Sequence, residues 1–356
     1  MGIGRSPSRR CDRSSGFGRG LLLLGALVVL CAGSCRPEPG PKSGPPETAA
    51  RASAADDDHA YLGQPQPGAT PGLFAPGLVS TDEAVELNGV VSPDGRELFF
   101  TRMARSPEEG LIFRMHRFIQ WDDGSWRGPE RVAVYPDDRA TLAVDMAYSP
   151  DGQRLFFLGR SPHELSPEQP GLDLWVSERT PAGDWSLARP LPPPVWTEAA
   201  ETYPVVGPDG TLQFSSDREG GRGASDLWRA APLGDGGFAE PVNLGPPINT
   251  EHDEGDSAIG PDDGYVVFTS NRPGGLGNGD LYVSFRDQDG AGWGEPIHLG
   301  PGINTEHTDY CPMLTPDGRF LFFSRRVSEP PDAGWEGVVA GDVYWVGAEV
   351  IERLRR

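Results

Sequence analysis

A Pro-Asp-Gly turn returns five times along this chain of 356 residues at a nearly constant interval. Its prolines lie at positions 93, 150, 208, 261 and 316, so the steps are 57, 58, 53 and 55 residues. Proline presets φ at the second turn position and glycine accepts a positive φ, so each copy predicts a chain reversal. A period of this size that holds several short strands is typical of propeller blades.

The third unit shows what one repeat contains. Residues 202–206 lead into the turn, and residues 212–216 alternate apolar and polar side chains, as a half-buried strand does. Residues 226–228 and 241–244 follow as two further short strands. The sequence therefore predicts an all-β fold, a five-bladed β-propeller of four-stranded antiparallel blades, with six blades as the alternative.

The fifth unit lacks a convincing fourth strand, because the chain stops soon after residues 342–344. A ring whose last blade is one strand short is usually closed by a strand from the other end of the chain, which removes an exposed edge. We expect residues 73–76 to take that place and to pair with residues 343–346.

The two middle units carry a resemblance to a known family. Residues 243–254 read Asn-Leu-Gly-Pro-Pro-Ile-Asn-Thr-Glu-His-Asp-Glu, and residues 270–277 read Ser-Asn-Arg-Pro-Gly-Gly-Leu-Gly, ahead of Asp280-Leu281-Tyr282. This pattern resembles the WD40-like (PD40, TolB-type) propeller repeat of bacterial envelope proteins, over roughly residues 73–356 and more loosely in the first two units. The resemblance implies a propeller in the cell envelope but no particular chemistry, since the fold hosts binders, scaffolds and enzymes.

The N-terminal segment has the pattern of a bacterial lipoprotein. Five arginines precede the apolar run 21–30, which is too short to span a bilayer, and Ala32-Gly33-Ser34-Cys35 resembles a lipobox. The alternative is an ordinary secretory signal cut near residues 32–34. We predict a signal peptide at 1–34, lipidation of Cys35, a disordered Pro/Gly/Ala-rich tether at 35–72 and a propeller at 73–356. Arg36, in place of Asp, points to the outer membrane.

Charge and cysteine content restrict the partners. With 31 basic and 52 acidic residues the net charge is −21, which disfavours binding to nucleic acid or to anionic lipid. Cys11 and Cys31 would leave with the signal peptide and Cys35 would be acylated, so Cys311 has no disulfide partner and is expected to be a small buried filler. We expect a monomer that contacts the membrane only through its lipid.

Acidic residues recur in the loops before four of the five first strands, ten and seven residues ahead of the turn proline, whereas the second unit has Ala140 and Ala143 there. Carboxylates at one mouth of the channel would suit Ca²⁺ or sugar hydroxyls, and no other cofactor is expected. The alternative is that they cap tight turns through hydrogen bonds to the backbone. The predicted ligand-binding set is Glu198, Glu201, Glu251, His252, Glu254, Glu306, His307 and Asp309.

A second repeated pattern couples an arginine after the second strand with an aspartate at the start of the third. Its repetition favours a structural role, because a catalytic site needs only one constellation. We expect each pair to staple its connection through an ion pair or backbone N–H groups. The pairs are Arg160 with Asp173, Arg218 with Asp226, Arg272 with Asp280, and Arg325 with Asp342. Four aromatic residues are expected to pack between blades: Trp126, Trp185, Phe238 and Trp293.

These features favour a lipid-anchored envelope propeller that binds or scaffolds another envelope protein, a peptide or a glycan, without catalysis. The chain has no Gly-x-Ser-x-Gly elbow, no His-Glu-x-x-His motif and no phosphate-binding glycine loop before a helix. The alternative is a carbohydrate-active enzyme, similar to a glycoside hydrolase, with its acids at the channel mouth. A third possibility is a scaffold without a ligand.

Overall fold

The computed structural model describes residues 60–108, 110–135, 142–160, 171–287, 290 and 292–355. All of them belong to one unit, Asp56–Arg356. The predicted signal peptide, Cys35 and the tether up to residue 59 lie outside the described residues. Within these ranges, no helix has the length and apolar character needed to cross a membrane.

The described strands form five four-stranded antiparallel sheets, which confirms the five-bladed propeller. Blade 1 consists of β2 (Val85–Val91), β3 (Glu97–Ser106), β4 (Gly110–Gln120) and β5 (Trp126–Arg131). Blade 2 consists of β6 (Ala143–Tyr148), β7 (Arg154–Arg160), β8 (Leu172–Glu178) and β9 (Arg189–Pro190). Blade 3 consists of β10 (Glu201–Val206), β11 (Leu212–Ser216), β12 (Asp226–Ala230) and β13 (Val242–Asn243).

The last two blades repeat this order, and the fifth borrows a strand. Blade 4 consists of β14 (Glu254–Ile259), β15 (Tyr265–Ser270), β16 (Asp280–Phe285) and β17 (Ile297–His298). Blade 5 consists of β18 (Thr308–Leu314), β19 (Phe320–Ser328), β20 (Val338–Gly347) and, as its outer strand, β1 (Gly72–Leu73). The short helix α1 (Glu349–Glu352) follows β20, and 3₁₀ turns lie at Tyr61–Gly63 and Gly334–Gly337.

Ring closure occurs as the sequence predicts. Leu73 pairs with Tyr344, and the Phe74 amide donates a hydrogen bond to the Val343 carbonyl over 2.8 Å. The Phe74 ring is fully buried, with its centroid 4.8 Å from that of Phe322 and 5.1 Å from that of Trp345. The N-terminal segment therefore supplies both backbone pairing and an aromatic plug to blade 5.

The described residues begin before residue 73, inside the segment predicted as tether. Leu62 is buried, and the Tyr61 ring lies 6.4 Å from Phe320 and 6.3 Å from Phe322. The composition around residue 60 is polar and small, but these two apolar side chains suffice to hold residues 60–72 against blades 1 and 5.

Aromatic side chains fill the spaces between blades, as predicted for Trp185 and Phe238. Trp185 of blade 2 lies with its ring centroid 6.3 Å from Phe99 of blade 1. Phe238 of blade 3 lies 6.0 Å from Phe156 of blade 2. Edge-to-face packing of this kind adds to the hydrophobic contribution of each interface.

The closure gives a prediction about stability. Phe74→Ala should lower the free energy of unfolding by about 3–5 kcal/mol, because a fully buried ring is replaced by a cavity. Leu73→Ala is the matched control, since Leu73 pairs in the same strand but its side chain is 37% exposed. Urea unfolding midpoints of the two variants measure the difference. Equal midpoints would contradict the role of Phe74 in closure.

Candidate functional site

Four blades share an ion pair that differs from the predicted Arg–Asp pairing. In each, an arginine within or just after the second strand reaches the acid at the start of the first strand. The pairs are Arg102–Glu86 at 3.2 Å, Arg218–Glu201 at 3.0 Å, Arg272–Glu254 at 3.2 Å and Arg325–Asp309 at 2.7 Å. A threonine four or five residues earlier donates its hydroxyl and amide to the same carboxylate, as Thr250 does to Glu254. We call these groups the arginine clamps.

The aspartates predicted to pair with the arginines serve the turns instead. Asp226 accepts hydrogen bonds from the amides of Arg222 and Gly223, and Asp280 accepts them from Leu276 and Gly277. The carboxylates therefore satisfy backbone donors in the glycine-rich connection, which was the second of the two roles expected for them. Beside Asp342, the Ser80 hydroxyl donates a hydrogen bond to the Val343 carbonyl over 3.2 Å and so ties the closing segment to blade 5.

Blade 2 lacks the clamp. Ala143 occupies the position that holds an acid in the other blades. Arg160 ends β7 opposite Leu172 and is exposed, whereas Asp173 is buried one position further along β8. The absence of a carboxylate at residue 143 leaves Arg160 at the edge of a cavity that is described below.

The predicted ligand-binding residues differ in their burial. Glu201, Glu254 and Asp309 are fully buried within the clamps, whereas Glu198, Glu251 and Glu306 are exposed. His252 and His307 are half-buried, and their backbone carbonyls meet the preceding blade: a Cβ on Gly223 would come within 1.8 Å of the His252 oxygen, and one on Gly277 within 1.7 Å of the His307 oxygen.

These loops are therefore packing surfaces for the glycine-rich connections of their neighbours. No group of three or more His, Cys, Asp or Glu among the described residues could hold a metal ion. The predicted Ca²⁺ site at these loops lacks support, because the inner carboxylates already have guanidinium partners and the outer ones are separate and solvated.

A different set of side chains meets at the centre of the ring. The position five residues before each turn proline holds Asn88, Asp145, Tyr203, Asp256 and Cys311, one from each first strand. All five have a left-handed backbone, with φ of 56°, 57°, 51°, 35° and 50° in that order. Each coincides with a register shift between the first and second strands of its blade. We call these residues the axial ring.

The β-bulges explain why the ring turns inward. A bulge inserts an extra residue and re-aims its side chain, and left-handed residues other than glycine are uncommon because the Cβ is crowded. Here the Cys311 thiol of blade 5 reaches Oδ1 of Asp145 in blade 2 over 3.4 Å. Blades 2 and 5 are not neighbours, so this contact crosses the propeller axis.

Neighbouring blades are also joined through the ring. The Cys311 amide donates to Oδ2 of Asp256 over 3.0 Å, and the Tyr203 hydroxyl donates to the same carboxylate. Asn88 Oδ1 accepts a hydrogen bond from the amide of Met146 over 2.7 Å. The axial ring is therefore a polar plug that connects all five blades.

Burial alters the protonation of this plug. Asp145 is 3% exposed and Asp256 is 6% exposed. Desolvation raises the pKa of Asp256 to about 7, against which the hydrogen bonds from Cys311 act. Desolvation and the nearby Asp256 raise the pKa of Asp145 well above its usual range. Burial and the two aspartates raise the pKa of the Cys311 thiol, which therefore stays protonated, as a buried filler would.

The plug separates two cavities of different character. On the side of the Pro-Asp-Gly turns, a cavity of about 350 Å³ is lined by apolar side chains such as Val90, Val206 and Ile259. On the opposite side, a cavity of about 450 Å³ has Asp145 and Tyr203 at its floor. We call the second one the axial pocket. Its wall contains Phe113, Leu158 and Trp335, and its rim carries Arg160 and Glu336.

None of the residues Asp145, Tyr203, Asp256 and Trp335 was predicted from the sequence as a site residue. The acids ten and seven residues before the turn prolines recur in four blades, and such recurrence indicates a structural role. Counting back five residues finds Asn, Asp, Tyr, Asp and Cys, which do not repeat. A site built once per ring uses positions at which the blades differ, and that variation was the available signal.

Comparisons with known proteins give only distant likenesses. No family model and no curated protein matches the chain, so its membership of the PD40 family stays a prediction. TolB from Acinetobacter baumannii is 13% identical with a TM-score of 0.40, over 75% of this chain and 55% of that one. The tricorn protease is 16% identical with a TM-score of 0.42, over 70% and 22%.

An α-L-arabinofuranosidase from Lactobacillus brevis is 14% identical with a TM-score of 0.47, over 73% of this chain and 90% of that one. The chain thus spans about half of the TolB structure and about a fifth of the tricorn protease. Identities and TM-scores this low say nothing about the activity of this chain.

The buried carboxyls give a prediction about pH. A folded pKa raised above the unfolded value means that the folded state holds more protons between the two pKa values, so stability falls as the pH rises from about 4 towards 7. Asp256→Asn keeps an acceptor for the Cys311 amide and removes the charge. Its melting temperature should exceed that of the wild type at pH 8 and match it more closely at pH 4.5.

Asp94→Asn is the control, because Asp94 is exposed in a turn and has a lowered pKa, chiefly through the Ser92 hydroxyl and the Arg96 amide. Thermal unfolding between pH 4.5 and 8 measures both variants. The melting temperatures of the wild type and of Asp256→Asn should change differently between pH 4.5 and 8. If both rise by the same amount, the buried charge of Asp256 does not govern the stability.

Proposed function

We propose that this protein is a lipid-anchored component of the bacterial cell envelope whose propeller binds a ligand in the axial pocket without catalysing a reaction. The ligand is an envelope protein, a peptide or a glycan. The observation that supports the proposal is the pocket itself, which combines an apolar wall with a few converging polar groups.

The pocket has the properties of a specific binding site. Its floor is Asp145, 3% exposed, beside the phenol of Tyr203, while Phe113 and Trp335 meet edge to face over 5.1 Å in its wall. The apolar wall supplies affinity through burial, and the floor fixes the orientation of a polar group. The bulges that build the floor carry backbone strain, which is concentrated at functional sites in proteins.

A glycoside hydrolase is the second candidate, favoured by the neighbouring carboxyls of Asp145 and Asp256 with their raised pKa values. Such an enzyme needs both carboxyls to face the scissile bond, one as acid and one as base or nucleophile. Asp145 lines the axial pocket, but Asp256 is not among the lining residues and is occupied by the Cys311 amide and the Tyr203 hydroxyl. This arrangement favours binding over hydrolysis.

The envelope location rests on residues 1–35 and on the acidic body of the protein. A net charge of −21 keeps the propeller away from anionic lipid, so the lipid on Cys35 would be its only membrane contact. A tether between Cys35 and residue 60 would let the propeller reach partners in the periplasm or at the surface.

The lipid anchor can be tested directly. Cys35→Ser should move the protein from the membrane fraction to the soluble fraction, because the acyl chains provide the hydrophobic attachment. Cell fractionation with a high-salt wash measures the change. Cys311→Ser is the matched control and should stay with the membranes. Retention of the Cys35→Ser protein after the wash would overturn the lipoprotein assignment.

The binding role is tested by removing the pocket wall. Trp335→Ala should reduce capture of a chemically crosslinked envelope partner or of a glycan by at least about tenfold, as expected for loss of a central aromatic contact. Trp121→Ala is the control, because Trp121 is 49% exposed and does not line the pocket. Equal capture by both variants contradicts a binding role for the pocket.

The same preparations distinguish the enzyme from the binder. Wild-type protein should leave aryl glycosides unhydrolysed. Turnover that is lost in both Asp145→Asn and Asp256→Asn would establish the hydrolase and refute the proposed function.

A further inference from the structure

We propose that the axial pocket receives an alkylammonium group, such as a lysine-like ω-amino side chain of the bound partner, with the ammonium at Asp145. This inference deepens the proposed function and rests on it. It commits to a ligand with an apolar stem that ends in a single positive charge.

Asp145 lacks the cation that accompanies several other buried carboxylates. Guanidinium partners are present for Glu86, Glu201, Glu254 and Asp309 in the clamps, and for Glu97 between Arg117 and Arg179. Buried Asp226 and Asp280 instead accept several hydrogen bonds each. Across the described ranges no arginine forms an ion pair with Asp145 or Asp256. The hydrogen-bond partner that the described residues give to Asp145 is the Cys311 thiol, a weak donor at 3.4 Å.

The Asp145 carboxyl faces the axial pocket. Asp145 is 3% exposed, yet it lines the axial pocket, so its remaining access is into this cavity. A buried carboxylate without a strong donor costs free energy, and a ligand that donates hydrogen bonds and a positive charge removes that cost. An ammonium group does both, with three donors and one charge.

The wall of the axial pocket is apolar. Phe113, Leu158 and Trp335 offer apolar surface along the path to the rim, and Tyr203 places an aromatic ring beside the floor. An alkyl stem of four carbons packs against such side chains while its charged end is held by a carboxylate. A sugar lacks this apolar stem and would leave much of the wall unused.

The surrounding charges fit one added positive charge. Asp256 and Asp145 belong to the axial ring with Tyr203 and Cys311, and Tyr310 lies near both carboxyls. Arg326 is the nearby cation, and its guanidinium lies over the Trp335 ring at 4.4 Å, on the side of Tyr310. At the rim, Glu336 forms an ion pair with Arg105 at 3.5 Å, and Arg160 is exposed. A divalent metal is disfavoured because the described residues supply no group of three ligating side chains.

The probes are N-acetyl-lysine methylamide and N-acetyl-norleucine methylamide, which differ only in the terminal amine. Binding to the wild-type propeller is followed by titration calorimetry and by Trp335-dependent fluorescence at pH 7.5. The lysine probe should bind at least about tenfold more tightly than the norleucine probe, as expected for a hydrogen-bonded ion pair in a pocket. Asp145→Asn should remove this preference, whereas Asp94→Asn should retain it.

The pH dependence supplies an independent readout. Protonation of the aspartate pair competes with the ammonium, so the affinity for the lysine probe should fall between pH 7.5 and pH 5 while that for norleucine stays constant. Both effects together support the inference.

Other results overturn the inference. Equal affinities for the two probes, or a lysine preference that persists in Asp145→Asn, would exclude an ammonium site at Asp145. Loss of partner capture in Trp335→Ala combined with no binding of the lysine probe would leave the proposed binding function in place and refute the ammonium ligand alone. Tighter binding of Ca²⁺ than of the lysine probe, abolished in Asp145→Asn, would assign the pocket to a metal ion instead.

Discussion

The propeller ring is closed by a two-residue strand at its N-terminal end. β1 contains only Gly72 and Leu73, yet it covers the outer edge of β20 and delivers Phe74 into the core of blade 5. Without it, blade 5 would present a free edge and an empty aromatic site. The contacts across the axis require a closed ring, because the Cys311 thiol in blade 5 meets Asp145 from blade 2. The closing strand thus supports a site to which it contributes no residue.

The axial ring shows how a repeated fold produces a single site. Every blade has the same bulge at the same distance from its turn, so the five side chains converge whatever their identity. Left-handed residues other than glycine cost on the order of 1–3 kcal/mol where the backbone is strained, and Asn and Asp tolerate this region better than Tyr or Cys. Hydrogen bonds between blades offset part of this cost: Asn88 accepts one from Met146, and Asp256 accepts one from Cys311. The polar side chains therefore stabilise the bulges and also make the channel polar.

Fold and site differ in how far the sequence reveals them. The turns, the blade count and the closing strand were predictable, since each depends on local patterns that repeat every 53 to 58 residues. The partner of each clamp arginine was not, because Arg218 reaches Glu201 across a strand pair and Asp226 is closer in the sequence pattern. A β-bulge interrupts the alternation of apolar and polar residues along a strand. The inward direction of Asp145 and Asp256 could therefore not be predicted from that alternation. Trp335 reaches the pocket from the connection between β19 and β20, and the corresponding connections of the other blades contain no tryptophan.

The two ends of the channel differ: the turn end has an apolar lining, and the other end holds the proposed binding site. At the turn end, five prolines and apolar side chains surround a cavity without a charged lining residue among those described. At the other end, the clamps engage every acid that lies seven residues before a turn proline. Among the described first-strand residues, the remaining acids at the axis are Asp145 and Asp256. A pair of neighbouring buried carboxyls resists double ionisation, and the second proton leaves more readily when a cation is present. Asp145 and Asp256 lower the stability of the ligand-free propeller at high pH, and a positively charged ligand would offset this effect. Stability and ligand recognition therefore depend on the same pair of carboxyls.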